Sequence, residues 1–213
     1  MSVSMTDRVL AEAFGPSEGT ALRIKQAILV VAGIALLTLA AQIKVAVPPS
    51  PVPVNLGTFA VLTIGAAYGP RLGLATILGY MIIGALGFDV FASSSAELNG
   101  VTYMMGSTGG YLFGYVLATL ALGLLARRGW DRSVVLMASA MLIGNAILYV
   151  PGLAWLSYWV ASTGKFDAGT YGSLWTQTTT WGITPYLIGD AMKLALAALL
   201  LPAVWKLVGK ARA

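Results

Sequence analysis

The chain has 213 residues, 58% of them hydrophobic and only 10% charged, and its mean hydropathy is +0.82. Soluble domains carry about a quarter charged residues, so this is the composition of a membrane protein. With no cysteine and no histidine, disulfides, thiolate metal sites and the commonest general base and metal ligand are excluded; the net charge of +5 speaks to orientation in a bilayer rather than to nucleic acid.

Residues 1–20, with Asp7, Arg8, Glu12 and Glu18, read as a polar tail with room for one amphipathic turn. They lack the basic start, apolar core and cleavage site of a signal peptide. Residues 21–213 read as one transmembrane domain. A helix crossing ~30 Å of hydrocarbon needs roughly 20 mostly apolar residues, and six such segments are read at about 22–43, 55–69, 71–88, 108–126, 133–161 and 184–208. The second and third are short and separated by Gly69-Pro70; because proline ends one helix and begins the next, a tight hairpin is expected there. Pro151-Gly152 predicts a kink in the fifth. The predicted fold class is an all-α bundle of six transmembrane helices in the cell membrane, in contact with lipid.

Placing the N-terminus, the 69–71 turn, the 127–132 loop and the C-terminus on one side gathers ten basic residues there, among them Arg71, Arg127, Arg128, Arg132 and Arg212. The other side keeps Lys44 and Lys165, and Lys193 belongs to neither. By the positive-inside rule both termini are cytoplasmic. The outside loops are then 44–54, 89–107 and 162–183, long and rich in Pro, Ser, Gly, Thr and aromatics. Such loops suit the capture of something external, although Trp155, Tyr158, Trp159, Trp175 and Trp181 also read as an interfacial aromatic belt.

The last span contains two charges. Thr184-Pro185 is a good helix start, with a capping hydroxyl and a first-turn proline. At 1.5 Å per residue, Asp190 lies ~9 Å and Lys193 ~14 Å beyond it. Three residues apart, they share a face, which Tyr186 and Ala197 extend. Ionisable groups at such depth are costly and usually face a bundle interior or a wet cavity. An intrahelical ion pair explains how the two are tolerated; a ligand or ion site explains why they are there. The run GSTGGYLFGYVLA (Gly106–Ala118) opens the fourth span. Gly109-Gly110 permits close approach of a neighbour or ligand, and Gly110 with Gly114 makes a helix-packing pattern of small residues.

Taken together, AQIKVAVPPSPVPVNLGTFAVL (Ala41–Leu62), GPRLG (Gly69–Gly73), GFDVFA (Gly87–Ala92), GSTGGYLFGY (Gly106–Tyr115) and GDAMK (Gly189–Lys193) resemble the BioY family. These are the biotin-binding membrane subunits (S components) of energy-coupling-factor (ECF) importers. The resemblance implies a six-helix bundle with a vitamin pocket near the outer face. It implies that Asp190 and Lys193 contact biotin, that Thr108, Gly109, Gly110 and Tyr111 line or shape the pocket, and that the first outer loop is a lid. The lid residues would be Pro48, Pro49, Pro51, Pro53 and Asn55. Biotin is then the cargo, with no cofactor, and the partners are a transmembrane coupling subunit and ABC-type ATPases.

The chemistry agrees with that expectation: an ionised Asp190 accepts from ureido N–H groups and Lys193 donates to an acceptor oxygen, either the ring carbonyl or the carboxylate. Tyr111, Trp155 and Tyr158 are candidates to pack on the bicyclic ring, and Tyr186, on the face of the charged pair, is a further candidate substrate contact. Three features depart from the family pattern. Ser107 replaces the usual proline of the glycine signature, Asp89 stands where proline is usual in GFDVFA, and the first span has no Ala-xxx-Ala for docking. Ala32 and Ala35 are the small residues left to meet the coupling subunit. No G-x-x-x-x-G-K-[ST] loop occurs, so the chain is not itself an ATPase. A stand-alone proton-coupled carrier, with Asp190 as the proton site, is the alternative. An enzyme is not expected from an inventory with neither His nor Cys and a single embedded acid.

Overall fold

The structure, a computed structural model, describes residues 8–211; Asp7 and Arg212, which figure in the charge pattern, lie outside the described residues. Among the described residues, five helices are long and apolar enough to cross a membrane. The first element, α1 (Leu10–Ala13), is a single turn, followed by α2 (Gly19–Gln42). Gly33, Leu37, Ala40 and Ala41 are its buried residues, a 4-3-1 spacing that keeps one face inward. Ile28, Val31, Leu36 and Leu39 are more than half exposed, as suits a helix facing lipid. Ala32 and Ala35 are exposed as well.

A two-stranded antiparallel ribbon follows, β1 (Lys44–Val45) with β2 (Val54–Asn55), pairing Lys44 with Asn55 and Val45 with Val54. Helix α3 (Gly57–Ala85) is broken at Gly69, where φ is +75° and ψ 178°. Glycine reaches that conformation without a Cβ penalty, and Pro70 cannot continue the hydrogen-bond ladder. The chain folds back there: a Cβ on Gly73 would lie 3.5 Å from the Gly65 Cα, whereas an unbroken helix separates residues eight apart by ~12 Å.

Both limbs pack on α5 (Gly109–Arg127). A Cβ at Gly65 would be 2.9 Å from the Thr119 carbonyl oxygen, and one at Gly73 2.9 Å from the Thr119 methyl. Helix α5 packs in turn on α6 (Val134–Ser162), which runs through Pro151 without ending.

Two expectations about the loops change. The segment 89–107 carries the short helix α4 (Gly100–Met104), and 162–183 carries α7 (Ala168–Tyr171) and α8 (Leu174–Gly182). Asp167 and Ser173 cap the latter two, accepting from Thr170 N (3.0 Å) and Thr176 N (3.1 Å). The final helix, α9 (Leu187–Ala211), starts three residues later than expected, after a 3-10 turn at Thr184–Tyr186. The Thr184 hydroxyl does not cap it, but donates to the Thr179 carbonyl at 3.3 Å. Asp190 therefore sits in the first turn of α9, where the helix dipole favours an anion.

The N-terminal segment is not simply a polar tail. Val9 is wholly buried, with its two methyls against Gly69 at the α3 break. A Glu12–Arg127 ion pair (2.6 Å) ties the same segment to the end of α5.

Candidate substrate-binding site

The first two turns of α9 carry Asp190 and Lys193 into the bundle, each 8% exposed. Lys193 Nζ donates to Asp190 Oδ1 at 3.0 Å and to Thr58 Oγ1, in the first turn of α3, at 2.9 Å. The other carboxylate oxygen accepts from the Tyr149 hydroxyl of α6 at 2.5 Å. The acid is thus gripped from α6 and the base from α3, which fixes both side chains and balances their charges. Each Asp190 oxygen keeps a further acceptor site, and an ammonium carries three donors.

These groups form part of the wall of one cavity. Tyr80, Phe91 and Tyr103 make its aromatic side, with Phe91 stacked on Tyr103 (4.8 Å, 12°) and edge-on to Tyr80 (5.3 Å, 85°). Tyr111 and Tyr115 of α5 and Leu148 and Tyr149 of α6 make another side. Thr108 and Tyr186 complete it, with Val52, Pro53 and Asn55 from the ribbon segment. The ribbon segment is tied across the cavity by two bonds: Ser50 Oγ donates to the Trp181 carbonyl (2.7 Å) and Tyr186 Oη to the Val52 carbonyl (2.5 Å). Such an aromatic slot, closed by an acceptor and a donor that cancel in charge, suits a flat or apolar body bearing a neutral polar head with N–H and C=O groups.

Of the residues singled out from sequence, Asp190, Lys193, Thr108, Tyr111, Tyr186, Pro53 and Asn55 come together around this cavity. Gly109 and Gly110 shape it indirectly. A Cβ on Gly110 would strike the Pro151 carbonyl and the Trp155 side chain, and one on Gly109 would lie 2.9 Å from Trp155 Nε1. The two glycines thereby let α5 and α6 close together.

Trp155 and Tyr158 are not in the cavity wall, contrary to expectation. The Trp155 indole N–H is taken by the Gly106 carbonyl at 2.7 Å, and Tyr158 is 64% exposed. Pro48, Pro49 and Pro51 lie on the ribbon segment outside the wall, and Asp89 is exposed in solvent.

Sequence reading missed Thr58, Tyr149 and Tyr115. Tyr149 carried a usable signal, a lone hydroxyl in the apolar run NAILYVPG. Phe91 lay inside a quoted motif without being assigned a role.

The BioY family model matches residues 13–210. The chain belongs to the BioY family. It is 33% identical over 179 residues to the "Probable biotin transporter BioY" of Pyrococcus horikoshii, covering 84% of this chain and 95% of that one. It is 29% identical over 172 residues to the "Biotin transporter BioY" of Thermotoga maritima, covering 81% and 92%. Among solved structures, the S-component for biotin from an ECF-type ABC transporter superposes with a TM-score of 0.70 at 16% identity, over 89% of this chain and 95% of that one. The likeness to that structure is one of fold.

Proposed function

We propose that the protein is the biotin-capturing subunit of an ECF-type importer in the cell membrane. The observation that carries this reading is the buried Asp190–Lys193 pair, held by Tyr149 and Thr58 on the wall of an aromatic cavity, in a chain whose relatives are named biotin transporters. Biotin presents a urea-like ring with two N–H donors and one carbonyl, fused to an apolar thioether ring with an acidic tail. Asp190 accepts from the ring N–H groups, and the aromatic side packs on the bicycle. A site built to pair with such groups rejects analogues lacking them, because its own buried polar atoms would be left without partners.

The same reading gives the chain six crossings with both termini cytoplasmic. The fold-back at Gly69 and the ten-to-two basic bias support it. The ribbon segment serves as the lid, and the exposed Ala32 and Ala35 of α2 offer a smooth surface to a transmembrane coupling subunit driven by ABC-type ATPases.

Calorimetry of biotin binding to the purified chain in detergent tests the proposal. Wild type should bind, and Asp190→Asn should bind at least tenfold more weakly, a loss of ~1.4 kcal/mol or more. Folded wild type that takes up no biotin would sink the reading.

A further inference from the structure

A cavity whose charged pair is neutral overall leaves the acidic tail of its ligand without a counter-charge. We propose that Lys44, with Asn55 opposite it, receives the tail carboxylate at the rim of the cavity, and that Lys193 serves the neutral ring carbonyl. The inference rests on the biotin reading above and adds a second subsite to it.

The position of Lys44 is fixed twice over. In the ribbon it is the direct partner of Asn55, and directly opposed residues of an antiparallel pair project from the same face. Asn55 is a wall residue. The Lys44 ammonium donates to the Ala92 carbonyl, and Ala92 is also a wall residue. Lys44 itself remains exposed and outside the wall. It thus stands at the edge of the cavity with its charge on a neutral oxygen. Asp89, on the same loop as Ala92, makes no ion pair with it among the described residues. Asn55 is oriented for the same task, since its Oδ1 accepts from Gly57 N at 2.7 Å and this leaves the amide N–H groups as its remaining donors.

Lys193 is the poorer partner for an anion. Its nitrogen is 3.0 Å from an Asp190 oxygen, so a carboxylate bonded to it would lie beside a second buried carboxylate, and like charges at such range repel strongly where water is scarce. A ring carbonyl carries no such penalty. The other basic residue in the loops of this half, Lys165, lies over the Trp159 ring at 4.5 Å, away from the cavity wall.

The test compares biotin with biotinamide, which keeps the rings and the chain but carries a neutral tail, in wild type, Lys44→Met and Lys44→Arg, at low and high salt. Wild type should prefer biotin by about tenfold or more at low salt, and the preference should shrink as salt screens the contact. Lys44→Met should reduce the preference to near unity by weakening biotin alone, and Lys44→Arg should restore it. Wild type that binds the two equally, a Lys44→Met variant that keeps the preference, or one that loses both ligands alike would each overturn the assignment while leaving biotin capture intact. Wild type that binds neither ligand would instead overturn the biotin reading on which it stands.

Discussion

Each end of the bundle buries an aspartate beside a cation; at one end the pair lines a cavity, and at the other the acid is packed against an indole. At the cavity end, both Asp190 oxygens have a partner, Tyr149 and Lys193, and the pair faces open space. At the other end Asp131, in the 3-10 turn Trp130–Arg132, is fully buried. It accepts from the Trp205 indole N–H at 2.5 Å, while its Oδ1 has no hydrogen bond among the described residues. Arg132 covers the Trp205 ring at 4.2 Å and donates to the Arg8 carbonyl at 3.0 Å. One helix, α9, carries Asp190 and Trp205 fifteen residues apart, ~22 Å by helical rise. The contrast teaches that a buried charge is a recognition device only where its remaining acceptor sites meet a cavity. Packed against an indole, the same group is a seam that joins a loop, a helix end and the N-terminal segment.

The largest expected effect breaks the cavity end. Lys193→Met leaves the Asp190 carboxylate buried with Tyr149 as its remaining partner, and removing one member of a buried pair typically costs about 3–5 kcal/mol. Thermal denaturation in detergent should show that loss. The double variant Asp190→Asn/Lys193→Met should recover most of the stability and none of the biotin binding. Recovery of binding along with stability would make the pair structural, like its counterpart at the other end.

The seam is probed next, through pH. Burial pushes the Asp131 carboxyl up to about 6 from an ordinary 3.8, with the Trp205 hydrogen bond and Arg132 only partly offsetting it. Because the folded state holds this proton more tightly than the unfolded chain, the contribution to stability is fully present below about pH 4 and is lost as pH rises through about 6. At ~1.4 kcal/mol per pH unit, the change amounts to at most about 3 kcal/mol. Asp131→Asn should flatten the melting temperature between pH 4 and 7 relative to wild type. An unchanged slope would show that other carboxyls carry it.

Much of this architecture is legible in the residues, for physical reasons that also mark where legibility ends. The long apolar runs announce helices because bilayer thickness dictates their length, and Gly69-Pro70 announces a break because neither residue sustains a helix. Asp190 and Lys193 stand out because charges in such a run demand a cause. Tyrosines do not, since a hydroxylated ring fits a packed core, a lipid interface or a pocket equally well. Helix geometry would have narrowed the choice: at 100° per residue, Tyr158 points opposite to Tyr149 on α6, and Trp155 is about a third of a turn away. The three cannot all face one cavity, and Tyr149 is the one that does. The late start of α9 and the helix α8 escaped because turns rich in Thr and Trp carry no clear period.

The smallest effect concerns how the N-terminal segment is held to the seam. Its ion pair joins two partly exposed side chains, 35% for Arg127 and 41% for Glu12, and pairs of that kind contribute about 0–1 kcal/mol. Val9, by contrast, loses all contact with solvent beneath the segment, and trimming it to alanine removes two buried methyls, about 2 kcal/mol with the cavity left behind. Limited trypsin digestion after Arg8 reads the opening of the segment, whose population sets the cleavage rate when opening and closing are fast. Glu12→Gln keeps an oxygen to accept from Val9 N, 3.4 Å away, and removes only the charge. It should raise cleavage less than about fivefold, against roughly thirtyfold for Val9→Ala. The reverse order would mean that charge rather than burial fastens the segment, and the two ends of the molecule would then both depend on their ion pairs.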